Sequence, residues 1–242
     1  MSKYTTIRAR VPDLPTSFKS GRYDYSDPAV KKSNIDTVRK IDNTYGSIIN
    51  TWGNVFFIPN SVIVGFIATE SGGVMTKPNR FKATGLMQVT PSAVWESARK
   101  WDSTVGSPLP AEAANLLRKN IPELFTSKSS TVPSASEKKI LTLLEKDANF
   151  NIMTGTMLLR WLLERFSTQA TGGQLNKAMV AYNAGAYIRV LNPQGASSPN
   201  KIPVDTASLA SNRAVPVESR GYLFKMLGKD GFLSLIIKDR VI

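Results

Sequence analysis

Neither cysteine nor histidine occurs in the 242 residues. Their absence excludes disulfides, thiolate nucleophiles, Ser-His-Asp triads and imidazole-bound zinc. Any proton transfer therefore falls to carboxylate, lysine or tyrosine. Acidic residues are scarce as well: 18 Asp and Glu stand against 31 Lys and Arg, giving a net charge of +13. That balance points to an anionic partner, whether nucleic acid, an acidic lipid surface or an acidic polymer. Lys and Arg are dispersed, with no arginine-rich tract and no nucleic-acid motif, so nucleic acid is not expected as a specific ligand. Long apolar runs are missing too. Ser61 to Thr69 and Gly231 to Ile237 fall far short of the roughly 20 residues of a spanning helix, so no transmembrane segment is expected. Met1 to Arg10 has no apolar run after its basic residues, which argues against a cleavable secretory signal.

What is present reads as a mostly helical domain over residues 35–242 behind an irregular arm, 1–34, that carries Pro12, Pro15, Gly21 and Pro28. Ile35, Val38, Ile41, Tyr45, Ile48 and Ile49 recur at helical spacing. The run from Val62 to Ser71 fits a helix or a buried strand; Asn60 or Ser61 as a cap and Gly72-Gly73 as a stop favour the helix. Residues 111–120 and 136–147 form two amphipathic segments around a Ser-rich stretch, Thr126 to Ser136. The spacing predicts a helix over 149–166, in which Gly155 permits close approach of a neighbour. A second runs through Leu175, Ala178, Met179 and Tyr182 to a left-handed cap at Gly185. After a long loop at 192–214, Pro216 suits the first turn of a last helix bearing Glu218, Tyr222, Leu223, Met226 and Leu227.

Glu70 is the chemically unusual residue. Its helical neighbours at i−3, i−4 and i−7 are Ile67, Phe66 and Ile63, and a helix C-terminus lies beside it. Lost hydration and the negative end of the dipole both disfavour ionisation, so a raised pKa is expected if the carboxyl points inward. Such a group can serve as a general acid near neutral pH; the alternative is a carboxylate reaching into water. Ordinary glycosidases use a pair of carboxyl groups, and no second acid accompanies Glu70 locally, although Glu96, Asp102 or a distant Asp could fold into place.

Read in order, Glu70-Ser71-Gly72, Gly85-Leu86-Met87-Gln88-Val89-Thr90-Pro91, Asn151-Ile152 with Gly155, Ala181-Tyr182-Asn183-Ala184-Gly185, and Pro216-Val217-Glu218-Ser219 with Tyr222 form one series. This series resembles the soluble lytic transglycosylase family, similar in fold to goose-type lysozyme, over roughly residues 55–230. The resemblance implies an α+β lysozyme-like fold with helices around a catalytic cleft. It also implies cleavage of the bond between N-acetylmuramic acid and N-acetylglucosamine in peptidoglycan, leaving 1,6-anhydromuramic ends. Glu70 would be the single acid/base and Tyr222 the residue whose hydroxyl holds its carboxylate. Gln88 would offer an amide donor and acceptor, and Asn183 would contact an N-acetyl or hydroxyl group or else cap its helix. Met87 and Tyr182 would line the cleft or pack in the core. Ser71 would bond the carboxylate or the substrate, or close its helix. No cofactor or metal is expected. A water-using muramidase acting on the same bond, and a non-catalytic virion structural or nucleic-acid-binding protein, are the competing readings.

Two departures stand out. Gln88 and Asn183 are 183 − 88 = 95 residues apart, which suggests an insertion over about 96–147 that could form a lobe over the cleft, and residues 1–50 match nothing in the family. Without a signal for export, a wall-degrading enzyme fits a phage virion acting on the host periplasm or cell wall, with the arm binding other virion proteins. An endolysin held in the cytoplasm until release is the alternative.

Overall fold

The structure, a computed structural model, describes residues 28–166, 175–187, 209, 213, 215–228 and 230–242. Most of the arm and of the 192–214 loop thus lies outside the described residues. Helices dominate: α1 (Pro28–Phe56), α2 (Asn60–Ser71), α3 (Pro91–Arg99), α4 (Trp101–Val105), α5 (Ala111–Asn120), α6 (Glu123–Thr126), α7 (Ser134–Lys146), α8 (Ala148–Phe166), α9 (Leu175–Ala184), α10 (Val217–Leu227) and α11 (Phe232–Lys238). Among the described residues there is no strand, only an antiparallel bridge between Thr84 and Val89. The mostly helical class holds, and among the described residues that bridge is the one β feature. Among the described residues no helix is long and apolar enough to cross a membrane.

The architecture is built around α8. Its sequence is apolar on nearly every side, and Phe150, Ile152, Met153, Met157 and Leu159 are fully buried; a helix of that kind must be surrounded. α1, α3, α4, α7 and α9 pack against it. Trp52 of α1 donates to the Asn149 side chain at 2.8 Å, and Trp161 of α8 donates to Thr104 at 2.9 Å, so two indoles carry both an apolar face and a polar link between helices.

α2 is the second buried helix. Val62, Ile63, Val64, Phe66 and Ile67 are fully enclosed beneath α1, α10 and α11. Its start differs from expectation: Pro59 precedes it with no side-chain cap, and the Asn60 amide turns instead to Asn50 at 3.2 Å. Its end follows expectation, since Gly72 adopts φ 62° and returns its N–H to the Ala68 carbonyl at 3.2 Å.

Three boundaries move. α1 begins at Pro28, not Ile35, because its first turns are tied down by contacts remote in sequence: Asn34 donates to the Asp230 carbonyl at 2.9 Å and Lys31 pairs with Asp239 at 2.8 Å. The helix bearing Tyr222 is not the last, for α11 follows it. The segment 96–147 is organised as the end of α3 and as α4 to α7, which lie against α3, α8 and one another.

Candidate active site

Glu70 occupies the last turn of α2, one turn above Phe66. The rings of Tyr182 (α9) and Tyr222 (α10) pack on Phe66 with centroids 4.9 and 5.9 Å away. The residue as a whole is half-buried, but its carboxyl group is enclosed by protein, and loss of hydration pushes its pKa from 4.5 up to about 8. Two influences pull the other way: the Tyr222 hydroxyl and the positive charge of Lys225. No acidic side chain among the described residues contributes. Burial is thus the physical cause, as the apolar neighbours at i−3, i−4 and i−7 suggest, and at pH 7 the carboxyl carries its proton.

The two tyrosines feel that carboxyl in return. Burial first, and Glu70 second, hold both phenols well above their usual range, so both stay protonated. Tyr182 donates to the Met87 carbonyl at 2.8 Å. The Tyr222 hydroxyl is buried without a hydrogen bond of ordinary geometry, yet it lies close enough to stabilise the ionised form of Glu70. Tyr222→Phe should therefore leave the melting temperature unchanged or slightly raised, since an unsatisfied buried hydroxyl is removed. The same change should raise the pKa of Glu70 and shift the alkaline limb of the activity profile upward. A large drop in melting temperature with an unmoved limb would contradict this placement.

The turn carrying Gln88 is fixed from below. Gly85 (φ 76°) and Gln88 (φ 48°) bend it back on itself, and the fully buried Asn151 of α8 holds it. Asn151 accepts from the Met87 N–H at 2.9 Å and donates to the Thr84 and Leu144 carbonyls at 3.0 and 2.9 Å. A Cβ on Gly85 would meet the Asn151 amide nitrogen at 2.0 Å, and one on Gly155 would meet the Met87 sulfur at 2.4 Å. The close neighbour that Gly155 admits is thus Met87, and the second and third motifs form one packed unit. Asn151→Ala should cost about 2–3 kcal/mol in chemical denaturation, because three buried backbone groups lose their partner; a loss within experimental error would show that water or another side chain replaces it.

Gln88 donates both amide protons, to Thr76 Oγ1 at 2.5 Å and to the Gly85 carbonyl at 2.9 Å. A carbonyl can only accept, which fixes the amide's orientation. Of the donor and acceptor that the resemblance implies, Gln88 therefore offers a ligand the acceptor, its oxygen, while its donors are engaged within the turn. Met87 is fully buried, so it packs in the core and does not line a cleft. Ser71 donates to the Ile67 carbonyl and accepts from the Gly73 N–H, both at 3.2 Å; its hydroxyl closes the helix and is not directed at the carboxylate. Asn183 is exposed and its side-chain oxygen accepts from Ser219 at 2.7 Å, joining α9 to α10. Gly185 (φ 97°) provides the expected cap of α9, its N–H reaching the Ala181 carbonyl at 2.8 Å. Glu218 lies exposed in the first turn of α10, where a carboxylate favours the dipole.

A groove of about 550 Å³ opens between α3 and the end of α9, floored by Leu158 and Trp161 of α8 and bounded by Gln88, Tyr182, Asn183 and Tyr187. Glu70 does not line it; Tyr182 is the wall residue that senses its charge. Glu96, at the end of α3, is the residue of the 96–147 segment that lines the groove, and α4 to α7 contribute none, so the expected lobe of that segment over the cleft is not seen.

Several site residues escape the sequence reading. Lys225 lies one turn beyond Tyr222 on the same helix, a spacing that could have revealed it. Thr76, which seats Gln88, sits in an irregular loop with no such signal. Glu96, considered above as a possible second carboxylate, stands in the groove wall, where it is held by Lys100 and Tyr187 at 2.7 Å each. Asp102 lies exposed on α4. Among the described residues no cluster of three or more acidic side chains could hold a metal ion. In comparisons with protein-family models and with curated proteins, nothing matches this chain.

Proposed function

We propose that the protein is a peptidoglycan lytic transglycosylase, with Glu70 as its single acid/base. The observation that carries the reading is a carboxyl held near a pKa of about 8 by burial, beside two tyrosines and with no acidic partner among the described residues. The ordered motifs that resemble the soluble lytic transglycosylases support it, as do the ring contacts that gather Tyr182 and Tyr222 on Phe66, one turn below Glu70, while Tyr182 also stands with Gln88 in the wall of the groove.

The chemistry follows from the proton that Glu70 holds. It passes to the oxygen bridging the two sugars, and the bond from muramic C1 to that oxygen breaks with its electron pair leaving on the departing sugar. Glu70 is then a carboxylate, and the Tyr222 hydroxyl and Lys225 charge stabilise it in an otherwise dry setting. The muramic C6 hydroxyl oxygen closes on C1 and its proton returns to Glu70. No water is consumed, one carboxyl serves both halves, and it ends as it began. Opposing influences that balance near pH 8 suit a group that must give and retake a proton.

Digestion of purified peptidoglycan, followed by borohydride treatment of the released muropeptides, tests the reading. Anhydro ends resist reduction and are the expected product. Reducible muramic ends would instead assign a hydrolytic muramidase, and an absence of soluble muropeptides would refute wall cleavage altogether.

A further inference from the structure

The surface where α1 turns into α2 differs in chemistry from the rest of the chain. The sequence is 20% charged, yet the 27 residues from Asn43 to Thr69 include no Asp, Glu, Lys or Arg. Their exposed positions, Asn50, Thr51, Asn54, Phe57 and Asn60 among them, carry amides, hydroxyls and one aromatic ring. Phe57 is 73% exposed, and its φ of 55° puts a bulky side chain in the left-handed region, a conformation that costs free energy and persists only where its surroundings hold it. The other exposed aromatic rings are covered by cations: Arg80 lies over Phe81, Arg118 over Phe125, and Lys100 and Arg165 over Tyr187. Among the described residues no cation and no second ring meets Phe57.

Three amides are gathered beside this ring. The Asn50 side-chain oxygen accepts from Asn60 at 3.2 Å and more loosely from Asn54 at 3.5 Å. Gly53, where a Cβ would come within 2.5 Å of the Asn60 side-chain oxygen, lets that amide lie against α1. The cluster is thus held in place while both amide protons of Asn50 and the side-chain oxygen of Asn54 remain for a ligand. None of these residues lines the 550 Å³ groove. Asn60 starts α2 and Glu70 follows ten residues later, about 15 Å along the helix axis.

We propose that Phe57, with Asn50, Asn54 and Asn60, forms an auxiliary binding surface for an uncharged N-acetylated glycan, separate from the cleft. The C–H face of a sugar packs on the phenyl ring, and hydroxyl and acetamido groups exchange hydrogen bonds with the amides. A backbone of N-acetylated sugars carries no charge and matches a stretch that carries none, whereas peptide carboxylates and wall phosphates find no cation in it. This rests on the glycan-cleaving reading and adds a second attachment, which holds the enzyme on insoluble wall between cuts.

The test titrates an N-acetylglucosamine tetrasaccharide into the full-length, ¹⁵N-labelled Glu70→Gln protein, which does not turn it over, and follows the asparagine side-chain amide resonances. Saturable shifts at Asn50, Asn54 and Asn60 are expected. Adding Phe57→Gly, which suits the left-handed backbone and should leave the melting temperature unchanged or raised, should weaken that affinity by about tenfold, since the ring supplies the apolar contact. With Glu70 intact, Phe57→Gly should slow muropeptide release from insoluble peptidoglycan several-fold and leave the cleavage of short soluble strands unchanged. Amides that do not shift, or an affinity unmoved by Phe57→Gly, would overturn the auxiliary surface. The same shifts on raising protein concentration without sugar would overturn it too, by assigning the face to a second copy of the chain. Anhydro ends from soluble strands keep the lytic reading in each of these cases. Failure to cleave any strand overturns that reading alone, and the amide titration still decides this surface.

Discussion

Glu70→Gln is expected to lower the rate of peptidoglycan solubilisation by about 10²–10⁴-fold, the usual worth of a positioned acid/base, while leaving the fold in place. Glutamine keeps the shape of the side chain and its packing over Phe66, but its amide neither delivers nor recovers a proton. Because no described carboxylate contributes to the ionisation of Glu70, no neighbour is placed to take over the role. Muropeptide release by the variant, followed in parallel with its melting temperature, separates lost chemistry from lost structure. Near-normal release would remove Glu70 from the mechanism.

The same carboxyl should dominate the dependence of stability on pH. In the unfolded chain it ionises near 4.5, and in the native state at about 8. Between those values the folded protein holds a proton that the unfolded chain has released, so raising the pH favours unfolding. Below about pH 4.5 both states are protonated and the group is neutral in effect; above about pH 8 both are ionised and the full cost is present. A shift of this size, discounted for the residue's partial exposure, corresponds to roughly 4 kcal/mol lost from this group between pH 4.5 and 9. Glu70→Gln removes that contribution. Denaturant midpoints should therefore fall with rising pH more steeply in the wild type than in the variant, and the variant should be the more stable of the two at pH 9. Parallel curves would mean that the carboxyl is solvated in the native state.

Much of this site is legible in the sequence because it is built from local rules. The Gly72 stop, the Gly185 cap and the apolar surroundings of Glu70 depend on neighbours within two helical turns, and each appears where that spacing places it. Gly155 signals a close approach, although nothing in the chain says that Met87 fills it. Legibility fails where a residue's fate depends on distant partners. The start of α1 is anchored by Asp230 and Asp239, about 200 residues away, and no periodicity can report that. Met87 and Ser71 have side chains that suit a cleft, but the packing of α8 buries one and the helix end consumes the hydroxyl of the other. The start of α3 is local as well: Thr90 accepts from the Ala93 N–H at 3.2 Å as an N-cap and Pro91 follows at the first helical position, the signature of a helix start. The hydrogen bond from Tyr187 to Glu96 spans 91 positions, and only the folded chain brings the two together.

The most direct measurement is the ionisation of Glu70 itself. Side-chain carboxyl resonances of protein labelled with ¹³C at glutamate Cδ, followed from pH 3 to 10 and assigned by comparison with Glu70→Gln, give that pKa without substrate. A single resonance titrating at about 8 and missing from the variant is the expected result. Should the signal lost in the variant titrate near 4.5, Glu70 would be an ordinary hydrated carboxylate, and a proton donor at neutral pH would have to be sought elsewhere.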